Sequence, residues 1–107
     1  MNKRIKRLWI KALRSRKFKQ GNGQLRRGRI APTYCCLGVL CEIAKEEGAI
    51  KSYIGTNAFL PPKVIAWAEL NADNPILSWK DDKYRAAYLN DAGKTFAEIA
   101  NRIEKYL

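Results

Sequence analysis

A chain of 107 residues has room for one hydrophobic core, and with 47% of its residues hydrophobic it is not a disordered segment. Its longest apolar run, residues 34–41, is far too short to cross a membrane, and its charged start lacks the apolar segment of a secretory signal. The formal net charge of +11 is unevenly spread: residues 1–29 hold twelve Lys or Arg and no acid, whereas residues 30–107 hold nine bases and ten acids.

The first predicted element is a helix over residues 3–15, capped by Asn2. Ile5, Leu8, Trp9, Ala12 and Leu13 recur with the spacing of one buried face. Arg4, Arg7, Lys11 and Arg14 fall within about an 80° arc on the opposite side. Two readings of that stripe stand: a solvated surface, or a face for an anionic partner. An ordinary exposed face mixes signs, and this one has no acid. Next comes Lys17-Phe18-Lys19-Gln20-Gly21-Asn22-Gly23-Gln24-Leu25-Arg26-Arg27. Gly and Asn tolerate positive φ, so Gly21-Asn22-Gly23 predicts the turn of a short β-hairpin, with Phe18 and Leu25 inward. The same turn could offer backbone N–H groups to a phosphate, although it lacks P-loop spacing.

Residues 29–32 read as a linker, and Thr33 as the cap of a central helix over 34–47. That helix is apolar on nearly every side, which requires cover on nearly every side. Gly38 inside it marks a close approach by another element, and Gly48 ends it. Its three cysteines cannot converge: Cys36 and Cys41 point about 140° apart and Cys35 and Cys41 about 120° apart. They read as buried thiols of a reducing compartment, without a disulfide or a metal. Residues 50–59 are irregular, with a short strand expected around Tyr53-Ile54. Pro62 suits the first turn of a helix over 62–70, with Val64, Trp67 and Ala68 inward. Residues 76–79 read as a short extended piece. Asp81-Asp82 could open a helix through Leu89, with a strand over 84–89 as the competing reading. Asn90-Asp91-Ala92-Gly93 reads as a turn or as a pair of polar site residues. Thr95 and Glu98 form a capping box, and Phe96, Ile99, Ala100, Ile103 and Leu107 make the apolar stripe of a last helix over 95–107. The expected fold is α+β: a small, mainly helical single domain over 1–107 with a short hairpin, divided into a basic segment 1–29 and a near-neutral body 30–107.

Four groups of residues resemble a family of small, mostly uncharacterised proteins encoded by phages and by bacterial genomes with prophages. They are Trp9-Ile10-Lys11-Ala12-Leu13-Arg14-Ser15 with Lys19-Gln20-Gly21; Tyr34-Cys35-Cys36-Leu37-Gly38-Val39-Leu40-Cys41; Leu60-Pro61-Pro62 with Trp67-Ala68; and Leu89-Asn90-Asp91 with Phe96-Ala97-Glu98-Ile99-Ala100. The Cys-Cys-Leu-Gly-Val-Leu-Cys string is the distinctive one. The resemblance implies a phage-type origin and a host-cell cytoplasm, and it brings no catalytic residues or cofactor.

Chemistry narrows the function. There is no His, hence no imidazole base or metal ligand, and the cysteines lie in the most apolar stretch, where a thiol is a poor nucleophile. A non-catalytic protein without a cofactor is expected. The cations suit a phosphate-bearing ligand, nucleotide or nucleic acid. The candidate ligand-binding residues are Arg14, Lys17, Lys19, Gln20, Asn22, Arg26, Arg27 and Arg29, with Asn90 and Asp91. In a phage setting such a protein could sequester a host defence nucleotide signal or block a host defence component. The alternatives are DNA or RNA binding through the basic segment, or docking on an acidic host protein. No membrane partner is expected.

Overall fold

Of the stretch 34–44, apolar on nearly every side in the sequence, residues from Cys36 onward become a helix with neighbours on nearly every side, while Tyr34 joins a strand and Cys35 is the cap position. The computed structural model describes residues 1–107. It contains α1 (Lys3–Arg14), β1 (Arg26–Arg27), β2 (Thr33–Tyr34), α2 (Cys36–Glu46), α3 (Pro62–Ala68), α4 (Ala86–Asp91) and α5 (Phe96–Tyr106). A 3₁₀ turn, Asp82–Tyr84, precedes α4. The fold is α+β and mainly helical, with one two-stranded antiparallel sheet.

α2 is the centre of the core. Cys36 through Cys41, Ile43 and Ala44 are all buried, and α1, α3, α4 and β2 pack around it. α1 starts at Asn2, whose side chain accepts from the Ile5 N–H at 3.0 Å. Its inner face, Ile5, Trp9 and Leu13, is buried against α2 and α5. The Trp9 indole N–H donates to the Cys36 carbonyl at 2.9 Å, so the one polar atom of that ring is satisfied inside the core. At α5 the Thr95 side chain accepts from Glu98 N at 3.1 Å, and the Glu98 carboxylate accepts from Thr95 N, closing the capping box.

Several expectations are corrected. The hairpin does not turn at Gly21–Gly23. Arg26 pairs with Tyr34 and Arg27 with Thr33, so the chain reverses across 28–32, of which 29–32 read in the sequence as a linker. Gly28 makes this reversal, at φ 89°, where a side chain would be strained. Residues 19–21 run parallel to β2 instead, with Tyr34 N donating to the Lys19 carbonyl at 2.9 Å and Gly21 N to the Tyr34 carbonyl at 2.8 Å. Thr33 lies in β2 and does not cap α2; the cap position is Cys35, which makes no side-chain cap bond. No strand forms at Tyr53-Ile54. The stretch after Asp81 is not one helix: Asp81 caps the 3₁₀ turn, and α4 begins afresh at Ala86. Leu77 N donates to the Tyr84 carbonyl at 2.8 Å, which ties residues 76 and 85 into an isolated bridge and fixes that break.

Candidate functional site

The outer side of α1 carries Lys3, Lys6, Arg7, Ile10, Lys11 and Arg14, spaced i, i+3, i+4, i+7, i+8, i+11, so one helical face holds them all. With Ser15 and Glu104 of α5 they line an open groove of about 820 Å³ that contains five cations and one acid. Arg14 is drawn to the α5 wall: it pairs with the Glu104 carboxylate at 2.8 Å and donates to the Asn101 side chain at 2.7 Å. Lys6 donates to the Glu104 carbonyl at 3.1 Å. Lys3, Arg7 and Lys11 meet no acid. They stand four apart, about 6 Å from one to the next along the axis. The opposite flank of the helix differs, because the end of α2 supplies carboxylates there. Glu47 pairs with Arg4 and Glu46 with Lys17, the latter at 3.5 Å. The uncompensated charge is therefore concentrated on the α5 side.

The hairpin carries a second basic group. Arg26 is half-buried, its backbone N–H donates to the Gly55 carbonyl at 2.9 Å, and its Nε has no hydrogen-bond partner. Arg27 and Arg29 are exposed, beside a fully exposed Ile30. Helix and hairpin are not docked side by side, because α1 rests on α2 and α5 while the hairpin rests on the start of α2 and on residues 55–57. The two basic groups are separate features of the surface. Lys19 is exposed, and its backbone carbonyl holds β2.

The polar candidates lie between these groups and are engaged by the fold. Gln20 donates to the Asn90 side chain at 3.0 Å and to the Lys94 carbonyl at 2.7 Å, and accepts from Phe96 N at 3.2 Å. Asn90, buried, accepts from Cys36 N at 3.1 Å and donates to the Gly21 carbonyl at 2.7 Å. Asp91 accepts from Gly23 N at 3.0 Å. Asn22, at the crest of that loop, is exposed. These bonds fix the glycine loop against α4 and supply the first N–H of α2 with an acceptor.

Cys35, Cys36 and Cys41 are buried free thiols. Burial raises all three, Cys36 well above the usual thiol range and Cys41 up to about 12, so they stay protonated and weakly nucleophilic at neutral pH. Tyr53 is raised too, by burial and by its 2.6 Å hydrogen bond to the Glu42 carboxylate. No group of three His, Cys, Asp or Glu side chains is arranged to hold a metal ion.

Sequence reasoning passed over Lys3, Lys6 and Ile10 as part of the cationic face, although their helical spacing placed them there. It also passed over an aromatic cluster, Trp79, Tyr84 and Tyr106 around Arg102, whose members are too far apart in sequence to be read together. A family profile described as a domain of unknown function, DUF8296, matches residues 1–107. The chain belongs to the DUF8296 family. No curated protein and no solved structure matches it. No helix of this DUF8296 chain is long and apolar enough to cross a membrane.

Proposed function

We propose that this DUF8296 protein is a non-catalytic, phage-type accessory protein of a host-cell cytoplasm that binds a nucleic-acid backbone along the outer face of α1. The observation that carries the reading is the row Lys3, Arg7 and Lys11, one cation per turn and none of them ion-paired, in an open groove whose one acid, Glu104, is engaged by Arg14. Like charges four apart destabilise a helix by about 0.2–0.5 kcal/mol per pair, and cations in the first turn oppose the helix dipole. α1 has both, with no acid in its first turn. Docking against the core uses Ile5, Trp9 and Leu13 with Leu8, Ile10 and Ala12 packed beside them, and none of the three cations, so fold stability does not account for the row. An open groove along a helix suits an extended polyanion better than a single small nucleotide, which is held best in a concave pocket that buries most of it. The three buried free thiols support a reducing compartment.

The test is Arg7→Glu combined with Lys11→Glu, read by fluorescence anisotropy with labelled duplex and single-stranded oligonucleotides. The parent should bind with a log–log salt slope of about −0.7 to −0.9 per phosphate contacted. The double variant should lose binding and melt no lower than the parent, because repulsion along α1 is relieved. Undiminished binding by the variant overturns the reading. A small nucleotide that binds one-to-one, with a shallow salt dependence and a raised melting temperature, would replace it with sequestration of a nucleotide signal.

A further inference from the structure

Trp79 is the most exposed large aromatic of the molecule, with 78% of its surface open to solvent. It is held in place nonetheless. Its ring meets the Tyr106 ring edge-on, with centroids 5.2 Å apart and planes at 88°. Tyr106 in turn has two cations near its ring, Lys105 with its Nζ 5.3 Å from the ring centre and Arg102 at 6.0 Å. Arg102 is fixed from behind: its guanidinium sits 4.3 Å from the Tyr84 ring and donates to the Leu77 carbonyl at 3.0 Å. The loop that carries the indole is closed by Ser78, whose hydroxyl oxygen accepts from Asp81 N at 2.9 Å. An exposed indole on a braced support has already lost much of the freedom that a ligand would otherwise have to remove.

The charge around the patch says what it suits. The two nearby acids are matched, Asp81 by Lys83 at 3.8 Å and Asp82 by Arg85 at 3.0 Å. Lys80, Arg102 and Lys105 have no acid partner. Protein interfaces deplete lysine at their centres, whereas surfaces that bind single strands combine aromatic faces with surrounding cations. Position adds to this. Arg102 and Tyr106 are four apart and share one flank of α5, while Asn101 and Glu104, which meet α1, occupy the other. One helix, about 10 Å across, therefore separates the cationic groove from the indole.

We propose that Trp79, braced by Tyr106 and Arg102, is a base-stacking platform that makes the chain selective for single-stranded nucleic acid whose backbone runs along α1. This rests on the backbone-binding reading above and gives it a substrate class. A duplex hides its base faces in its own stack, so only unpaired bases can reach the indole.

The experiment compares a labelled oligothymidylate with a duplex of equal length, by anisotropy over a range of salt, on the parent protein and on Trp79→Ala and Trp79→Phe. Removing one stacking ring should weaken single-strand binding by about tenfold. The salt slope should not change, because no phosphate contact is lost. Duplex binding should be unaffected, and Trp79→Phe should restore most of the single-strand affinity. Oligothymidylate should quench tryptophan emission in the parent and not in Trp79→Phe, whose remaining indoles are the buried Trp9 and the half-buried Trp67. Equal single-strand affinity for Trp79→Ala and the parent overturns the platform and leaves the patch to a protein partner. Equal loss on duplex and single strand overturns the selectivity. Arg7→Glu with Lys11→Glu separates the two levels: its failure to weaken binding brings down the backbone reading and this proposal with it, whereas its success beside a neutral Trp79→Ala removes the platform alone.

Discussion

Asn90 ties the glycine loop to the start of α2 with one side chain. Its oxygen accepts from Cys36 N and from Gln20, and its amide donates to the Gly21 carbonyl. Asn90→Ala leaves the Cys36 N–H and the Gly21 carbonyl without partners, at about 1–3 kcal/mol each. Urea denaturation should show that loss, while the folded fraction binds oligonucleotide as the parent does. The sequence offered Asn90-Asp91 as a turn or a polar site pair and Gln20 as a ligand contact. Nothing local could show that Asn90 caps a helix 54 residues away, because that acceptor was created by the fold.

α1, α3 and α5 were legible because each carries its own start signal, Asn2, Pro62 and the Thr95–Glu98 pair, whereas α2 and α4 have no side-chain cap and their starts were misplaced. The hairpin was misplaced because Gly21-Asn22-Gly23 is a strong local turn signal that long-range contacts override. Leu25 is drawn under α2, where its N–H donates to the Asn57 carbonyl at 2.7 Å and its carbonyl accepts from Cys35 N at 3.3 Å. That anchor sends the strand onward, and the reversal falls after Arg27. The close approach announced by Gly38 is this same anchor. A Cβ on residue 38 would lie 1.8 Å from the Leu25 carbonyl oxygen. Gly38→Ala gains about 1 kcal/mol of helix propensity, yet it must push β1 away from α2. Overpacking of that kind costs about 1–3 kcal/mol, so the melting temperature should fall, and a rise would show that β1 yields easily.

Across the whole molecule the sequence made the body look neutral and the first 29 residues wholly cationic, and the fold redistributes this. Glu46 and Glu47 from α2 and Glu104 from α5 take up Lys17, Arg4 and Arg14. What remains is a narrow face on α1 and a separate group on the hairpin, and only the packing of α1 against α2 and α5 could reveal which side of the helix keeps its charge. The thiols add a limit at high pH. Cys41 is raised in the fold to about 12 from an ordinary value of 9.0, so its contribution to stability is complete below pH 9 and is lost as pH rises from 9 towards 12. Cys36 adds to the loss in the same direction. The melting temperature should therefore decline above pH 9, and Cys41→Ala should flatten that decline while lowering stability at neutral pH.

The first helix rests on the last. During synthesis α1 and α2 are both made long before residues 96–106 exist, and the side of the Trp9 face that α5 covers stays open until they do. Small helical proteins usually fold fast because their contacts are local; here the closing contact joins the two ends of the sequence, which slows the search. It also makes the domain all-or-none. A nascent or clipped chain without α5 loses one wall of the groove together with the cover that α5 gives to α1 and α4. The cationic row of α1 gains its α5 wall only once α5 has been made.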